Sequence, residues 1–443
     1  MKEKLLDLIN KQKYQEVKKI IVEENEVDIA TIIEELPLDD LIKIFRLLPK
    51  DLAIDVFSYL DQEVQKDLIT SLSEKEAVSI INNMYADDAT DLLEEMPAGI
   101  VTKLLAKVDS ETRRDINQLL KYPDNSAGSI MTVELIDLYE FMTVSEAIDK
   151  IRKEIEELEI LDTYYVIDRK RTLLGSISLK EILKGKDKII KDLMDDNIQY
   201  VNTLVDQEEV VKIMQDYDLT SIPVVDSENR LVGIITVDDV LDIMEKEATE
   251  DMAKMAAIVP TEKEYLKTSV FELWKSRIPW LLLLMISATF TGKIISHFED
   301  SLAACVVLTA FIPMLMDTGG NAGGQASVTI IRGLSLNEVE FKDVFKVIWK
   351  EIRVALLAGI TLAICNFLKL LFIDKVSIDV SVVICLTLIL TVLVAKTVGC
   401  SLPLIAKKLG FDPAVMASPF ITTIVDALSL LIYFALATSI LHI

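Results

Sequence analysis

From Ile278 onward the chain carries five apolar stretches in succession, at residues 278–296, 302–331, 352–373, 380–406 and 415–440. Each is long enough to cross ~30 Å of hydrocarbon at ~1.5 Å per residue. A single stretch of this kind also fits a buried helix in a water-soluble core, but five in a row do not. Residues 271–443 are therefore expected to form an all-α transmembrane domain of five helices.

Basic residues orient these spans. Lys275 and Arg277 precede the first, Arg332, Lys342, Lys346, Lys350 and Arg353 lie between the second and third, and Lys407 and Lys408 lie between the fourth and fifth. The alternate connections, HFED at 297–300 and IDKVSID at 373–379, are poor in positive charge. The positive-inside bias then puts the N-terminal side in the cytosol and the C-terminus outside. The segment 336–350, LNEVEFKDVFKVIWK, has apolar residues at helical spacing. It reads either as a helix along the inner surface or as a plain loop helix.

Hydrophobic residues make up 51% of the chain and charged residues 26%, so the two populations must occupy different regions. Residues 1–270 hold 33 Lys and Arg against 59 Asp and Glu, whereas residues 271–443 hold 13 against 12. So acidic a body repels nucleic-acid phosphates, which argues against nucleic acid as a partner, and it suits cations. A merely solvated acidic face has the same composition. Cys305, Cys365, Cys385 and Cys400 all fall in apolar segments, so neither a disulfide framework nor a Cys-based zinc site is expected. The N-terminus MKEKLLDLIN lacks the apolar core and cleavage site of a signal peptide, so the acidic part is expected in the cytosol and the whole chain in the plasma membrane. The histidines are His297 and His442, at span ends, and no Ser/His/Asp or Cys/His set can be assembled. The chain is not expected to be an enzyme.

A charge within a span costs ~2.5–3.5 kcal/mol and marks a functional candidate. Asp426 sits mid-span in MASPFITTIVDALSLLIYF, with Thr422, Thr423 and Ser429 within about one turn and Pro419 two turns earlier. A carboxylate, hydroxyls and carbonyls loosened near a proline are the hard oxygen groups a hydrated divalent cation prefers. The alternative is a polar packing contact between helices. Asp317 in PMLMDTGGNAGGQ is a second candidate, where the glycines suggest a break or a span end reached by water. Lys293, Lys369 and Lys396 are long enough to snorkel and receive no role. TGGNAGGQAS at 318–327 permits either close helix contact or an unwound turn lining a cavity, and it does not match a nucleotide-cradling loop.

Residues 1–128 read as short amphipathic helices broken near Pro37, Pro49, Asp61, Ser73, Asp87 and Pro97, with a loose repeat of roughly 12 residues. That pattern predicts an all-α helical superhelix. Beyond it, runs of Val, Ile and Tyr alternate with helical patterns, as in βαβ units. TYYVIDRKRTLLGSISLKEIL at 163–183 aligns without gaps on SIPVVDSENRLVGIITVDDVL at 221–241, an offset of 58 with six identities in 21. This repeat resembles a pair of cystathionine-β-synthase (CBS) domains, α/β regulatory modules that bind adenine nucleotides such as ATP in other proteins. The modules would cover 129–192 and 193–244. The resemblance implies a nucleotide contact at Thr236 and Asp239. The first copy departs from it, with Ser178, Lys180 and Glu181, which puts a nucleotide site there in doubt.

A helical acidic domain, a CBS pair and five spans in this order resemble the MgtE family of magnesium channels. The likeness extends to EKEATEDMAKM, SRIPWLLLL, GGNAGGQ, VGCSLPLIAKKLGFDPA and SPFITTIVDALSLLIYF. It implies a homodimer that conducts Mg2+ under the membrane potential, with the Asp426 carboxylates facing each other and Ser418, Thr422 and Ala427 completing the pore site. Ser418 stands where some relatives have Asn, which leaves the fine geometry of that site open. The family pattern further implies that cytosolic Mg2+ closes the pore through Asp55, Asp87, Asp91, Gly128, Glu208, Asp218, Asp239, Asp242, Glu247, Glu250 and Asp251. A connecting plug helix is expected within 245–270, with Asp412 as its partner through a bridging magnesium ion. Two other readings stay open: a divalent-cation transporter coupled to Na+ or H+, and a CBS nucleotide sensor attached to a membrane domain. An anion channel is disfavoured by the central Asp426.

Overall fold

The computed structural model describes residues 1–443 except 1–4, 6, 10, 12, 155–161, 187, 262–264, 417 and 443, and of Ser418 only the backbone. It forms two compact units, Met1–Met244 and Glu245–Ile443.

The first unit opens with nine short helices among the described residues: α1 Tyr14–Ile21, α2 Glu26–Glu34, α3 Leu38–Phe45, α4 Lys50–Ser58, α5 Gln62–Ser71, α6 Glu74–Ile81, α7 Ala86–Glu94, α8 Ala98–Leu105 and α9 Ser110–Leu119. Prolines and polar caps restart several of them. Pro37, Pro49 and Pro97 stand at N-caps. The Asn25 side chain accepts from Val27 N at 3.0 Å, and Ser73 with Glu76 forms a capping box. No helix this short is stable alone in water. Their apolar stripes instead share one core, with Val17, Ile33, Ile44, Val56, Phe57, Leu68, Ile81 and Leu92 fully buried.

Two α/β modules follow. The first contains β1 Asp137–Tyr139, α10 Val144–Glu154, β2 Thr163–Ile167, β3 Leu173–Ser178 and α11 Leu179–Lys184. The second contains β4 Val201–Asn202, α12 Gln207–Asp216, β5 Ser221–Val225, β6 Leu231–Thr236 and the start of α13 Val237–Met255. Each sheet has a parallel pair and then an antiparallel hairpin, in the orders β1-β2-β3 and β4-β5-β6. The 58-residue repeat is a repeat of turn chemistry. Asp168 Oδ1 accepts from the amides of Lys170 and Thr172 at 2.7 and 2.9 Å. Asp226 Oδ1 accepts from Glu228 and Arg230 at 2.8 and 2.9 Å. Arg171 and Asn229 take positive φ at equivalent turn positions. The modules join through the buried Tyr165, Ile167, Leu231 and Ile234, with Tyr165 Oη 2.8 Å from Ser221 Oγ.

The second unit contains α14 Val270–His297, α15 Glu299–Ala304, α16 Ile312–Ser335, α17 Val344–Phe372, α18 Ile378–Lys408 and α19 Ser418–Leu441. Among the described residues, four helical regions are long and apolar enough to cross a membrane: Val270–His297, Phe341–Phe372, Ile378–Lys408 and Pro413–Leu441. The stretch expected to span at 302–331 behaves differently. It breaks at Cys305 (φ −138°, ψ 79°), passes through a 3-10 turn at Val306–Phe311 and restarts as α16 with Pro313 in its first turn. The glycine segment 318–327 stays helical within α16 and serves close contact. A Cβ on Gly399 of α18 would overlap the Gly323 carbonyl oxygen, and one on Gly319 would stand 2.8 Å from Thr391 and Val425. The 336–350 segment is no separate helix either. It contains a 3-10 turn at Phe341–Asp343 and then the first turns of α17.

Candidate ion pathway and cation-sensing carboxylates

Asp426 lies in the middle of α19, and its Oδ1 is completely buried with no hydrogen-bond partner among the described residues. A buried carboxylate oxygen without a donor is costly and calls for a ligand. α16 approaches α19 at this level, where a Cβ on Gly320 would lie 3.1 Å from Thr422 Cγ2. Pro419 is in the first turn of α19, where its missing N–H costs nothing, so it frees no mid-helix carbonyl. Its own carbonyl takes the Thr423 hydroxyl at 3.1 Å. Thr423 and Ala427 line a groove of about 580 Å³ against Phe290, Lys293 and His297 of α14. The Ser418 side chain lies outside the described residues.

Lys396 does not snorkel. It is buried, with Nζ 3.6 Å from Glu351 Oε2 of α17. Lys369 reaches Asp374 at 2.7 Å near its helix end.

In the first unit, Asp239 sits where a charge is disfavoured. Burial pushes its carboxyl up to about 6, against the Thr236 hydroxyl, while Asp238, Asp88 and Asp242 raise it further. Thr236 donates to Asp239 Oδ2 at 2.7 Å. Asp88 is also pushed up by burial, with Ser58 opposing and Glu134 and Asp238 adding. Sequence reasoning chose Asp87 and Asp91 on the same helix and missed Asp88. Helical phase was the available signal, since Ala89, Leu92 and Leu93 bury the same side of α7. Burial, then Glu26 and Asp51, raise Asp55. Asp91, Glu208, Asp218 and Asp242 are exposed. Gly128 is explained by packing, because its N–H donates to Thr203 O at 2.9 Å and a Cβ there would lie 2.6 Å from the Tyr122 ring. Among the described residues no three His, Cys, Asp or Glu side chains are grouped as a metal site.

In the second unit, Lys254 stands where a bridging cation was expected. Its Nζ lies 2.6 Å from Glu250 and 2.7 Å from Asp412. Burial alone would lower its pKa, but hydrogen bonds to Asp412 and Glu250 outweigh that and raise it. Burial and then Asp412 push up Asp251, Glu247 and Glu250 add to this, and Lys254 opposes it. Sequence reading counted the acids of this segment and overlooked its lysine.

The comparisons agree with this layout. A family model described as "MgtE: Divalent cation transporter" matches residues 312–436, one described as "MgtE intracellular N domain" matches 24–125, and the CBS domain model matches 127–187 and 190–246. The magnesium transporter MgtE of Thermus thermophilus is 37% identical over 340 residues, covering 76% of this chain and 74% of that protein. The Bacillus subtilis protein of the same name is 35% identical over 342 residues, with the same two coverages. Among solved structures, the cytosolic domain of the Mg2+ channel MgtE in complex with ATP matches at a TM-score of 0.53 and 33% identity, covering 55% of this chain and all of that one. The soluble part of a magnesium transporter matches at 0.52 and 28%, covering 56% and 98%.

An acidic helical domain, a CBS pair and a bundle of apolar helices around an unpartnered carboxylate define a multi-pass membrane protein of the divalent-cation transporter class. With relatives above 30% identity over most of its length, the chain belongs to the MgtE family.

Proposed function

We propose that the protein passes Mg2+ down its electrochemical gradient as a homodimer, through a pathway at Asp426, and that cytosolic Mg2+ closes it. The observation that carries this reading is the buried, donor-less Oδ1 of Asp426 in a membrane helix. Mg2+ sheds water reluctantly and demands octahedral geometry, so facing carboxylates hold it through its water shell. Two like charges brought together favour a divalent partner. The relatives named as magnesium transporters support the choice of ion.

Closure draws support from two acidic places. Asp88 and Asp239 are half-buried near each other and repel when ionised, and Asp251 crowds Asp412. A divalent cation relieves both repulsions and favours the compact arrangement. The relative crystallised with ATP supports an adenine nucleotide at the CBS pair. Thr236 and Asp239, already bonded to each other, would have to turn toward it.

The test is Mg2+ flux into proteoliposomes under an imposed potential, comparing the natural chain with Asp426→Ala and varying Mg2+ on the cytosolic face. The reading expects flux that follows the potential, stops in the variant and shuts off at millimolar cytosolic Mg2+. Dependence on a Na+ or H+ gradient would make the protein a coupled transporter, and normal flux in Asp426→Ala would dismiss the pore assignment.

A further inference from the structure

Helix α16 has two unlike sides. Leu315, Gly319, Ala322, Gly323 and Ala326 are buried against neighbours, while Asp317, Asn321 and Gln325, spaced by four, are exposed in the protomer. A carboxylate and two amides in successive turns of a helix packed among membrane spans do not face lipid. They face a water-filled path or another protein surface.

The helix contacts set the level of this face in the bundle. α16 and α19 pack in opposite directions: Gly319 abuts Val425 and Ser429, Gly320 abuts Thr422, and Gly323 abuts Ile421 and Val425. One turn before Gly320 comes Asp317, and one turn after Thr422 comes Asp426. The two carboxylates therefore share one level of the bundle. Of the two readings at Asp317, a break or a span end, the break does not occur, since α16 begins at Ile312 and runs unbroken through it.

We infer that Asp317 is a second carboxylate of the ion pathway, and that it determines how strongly a divalent ion is preferred over a monovalent one at the level of Asp426. The inference rests on the pathway reading of Asp426. A lone carboxylate is balanced by one Na+ or K+. Two carboxylates at one level stay mutually repelling until a charge of +2 neutralises them, so the pair raises divalent affinity within each protomer. The isosteric amide keeps the shape of the site and removes only the charge.

The experiment records monovalent current through the full-length protein in planar bilayers and its block by added Mg2+. The natural chain is compared with Asp317→Asn, Asp317→Glu and Asp426→Asn, each first checked for a natural size-exclusion profile. Asp317→Asn is expected to weaken Mg2+ block about tenfold, with Asp317→Glu close to the natural chain and Asp426→Asn losing block altogether. Natural block in Asp317→Asn alongside lost block in Asp426→Asn would overturn the role of Asp317 and leave the pathway intact. Natural block in both would overturn the pathway itself. Should the amide fail to fold, Asp317→Cys in a Cys305→Ser, Cys365→Ser background supplies a second reading. Modification by a charged thiol reagent, slowed by Mg2+, supports the inference, and absence of modification overturns it.

Discussion

Asp239 is half-buried and carries a charge at neutral pH. Its carboxyl titrates near 6 in the folded chain, above its ordinary 3.8. Below about pH 4 it is protonated in both folded and unfolded states and has no net effect. As pH rises from about 4 to 6 the unfolded chain releases its proton first, so the folded state loses up to about 3 kcal/mol, and the full cost persists above pH 6. Asp88, Asp238, Asp242 and Glu134 face the same region and add repulsion of the same sign. Asp239→Asn is therefore expected to raise the Mg2+-free melting temperature of the detergent-solubilised chain by several degrees at pH 7. In the natural chain, the rise in melting temperature given by Mg2+ should shrink as pH falls through 6, because protons then do part of the neutralising. A Mg2+ effect equal at pH 5 and pH 7.5, read by scanning calorimetry, would rule this out. Sequence alone pointed to Asp239 through its resemblance to CBS modules, whereas helical phase marks only the inward side of Asp88, and its acidic neighbours Glu134 and Asp238 come from the fold.

At the scale of elements, small residues let backbones touch. Gly399 of α18 meets the carbonyl of Gly323 of α16, and a backbone atom cannot move aside as a side chain can. Gly399→Ala is expected to cost about 1–3 kcal/mol or more and to lower the yield of folded protein, whereas Gly292→Ala, with open space around it, should be silent. Fluorescence-detected size exclusion on heating separates the two. The glycines were legible as a contact stripe or a break, but only packing between helices decides between those alternatives. Helix α13 adds a case of the opposite kind. Lys254 neutralises Glu250 and Asp412, so a magnesium ion bridging this helix to Asp412 has to displace a tethered cation. Lys254→Gln is expected to lower the cytosolic Mg2+ needed for half-closure severalfold. An unchanged midpoint in the flux assay would reduce the contact to a partly exposed ion pair of little consequence.

For the molecule as a whole, hydropathy and repeat patterns carried the architecture because each is a one-dimensional signal. Apolar length reports spans, and the Asp168 and Asp226 turns report duplicated modules. The start of the second helix was not legible because Cys305 ends one helix inside an apolar run, where hydropathy does not change. The buried Lys396 was misjudged because its partner Glu351 lies on another helix. The proposed uptake under the membrane potential leads to the last prediction. Moving one charge through 100 mV is worth about 2.3 kcal/mol, so at about 60 mV a divalent ion gains roughly 2.8 kcal/mol and accumulates about a hundredfold. Proteoliposomes clamped with a K+ gradient and valinomycin should take up Mg2+ to that ratio and stop. Raising the potential should move the plateau along the divalent Nernst slope, and adding a Na+ or pH gradient should leave it fixed. A plateau that exceeds the Nernst ratio when either gradient is added would show stoichiometric coupling, and the Asp426 carboxylate would then be carrying the coupled ion as well as the metal.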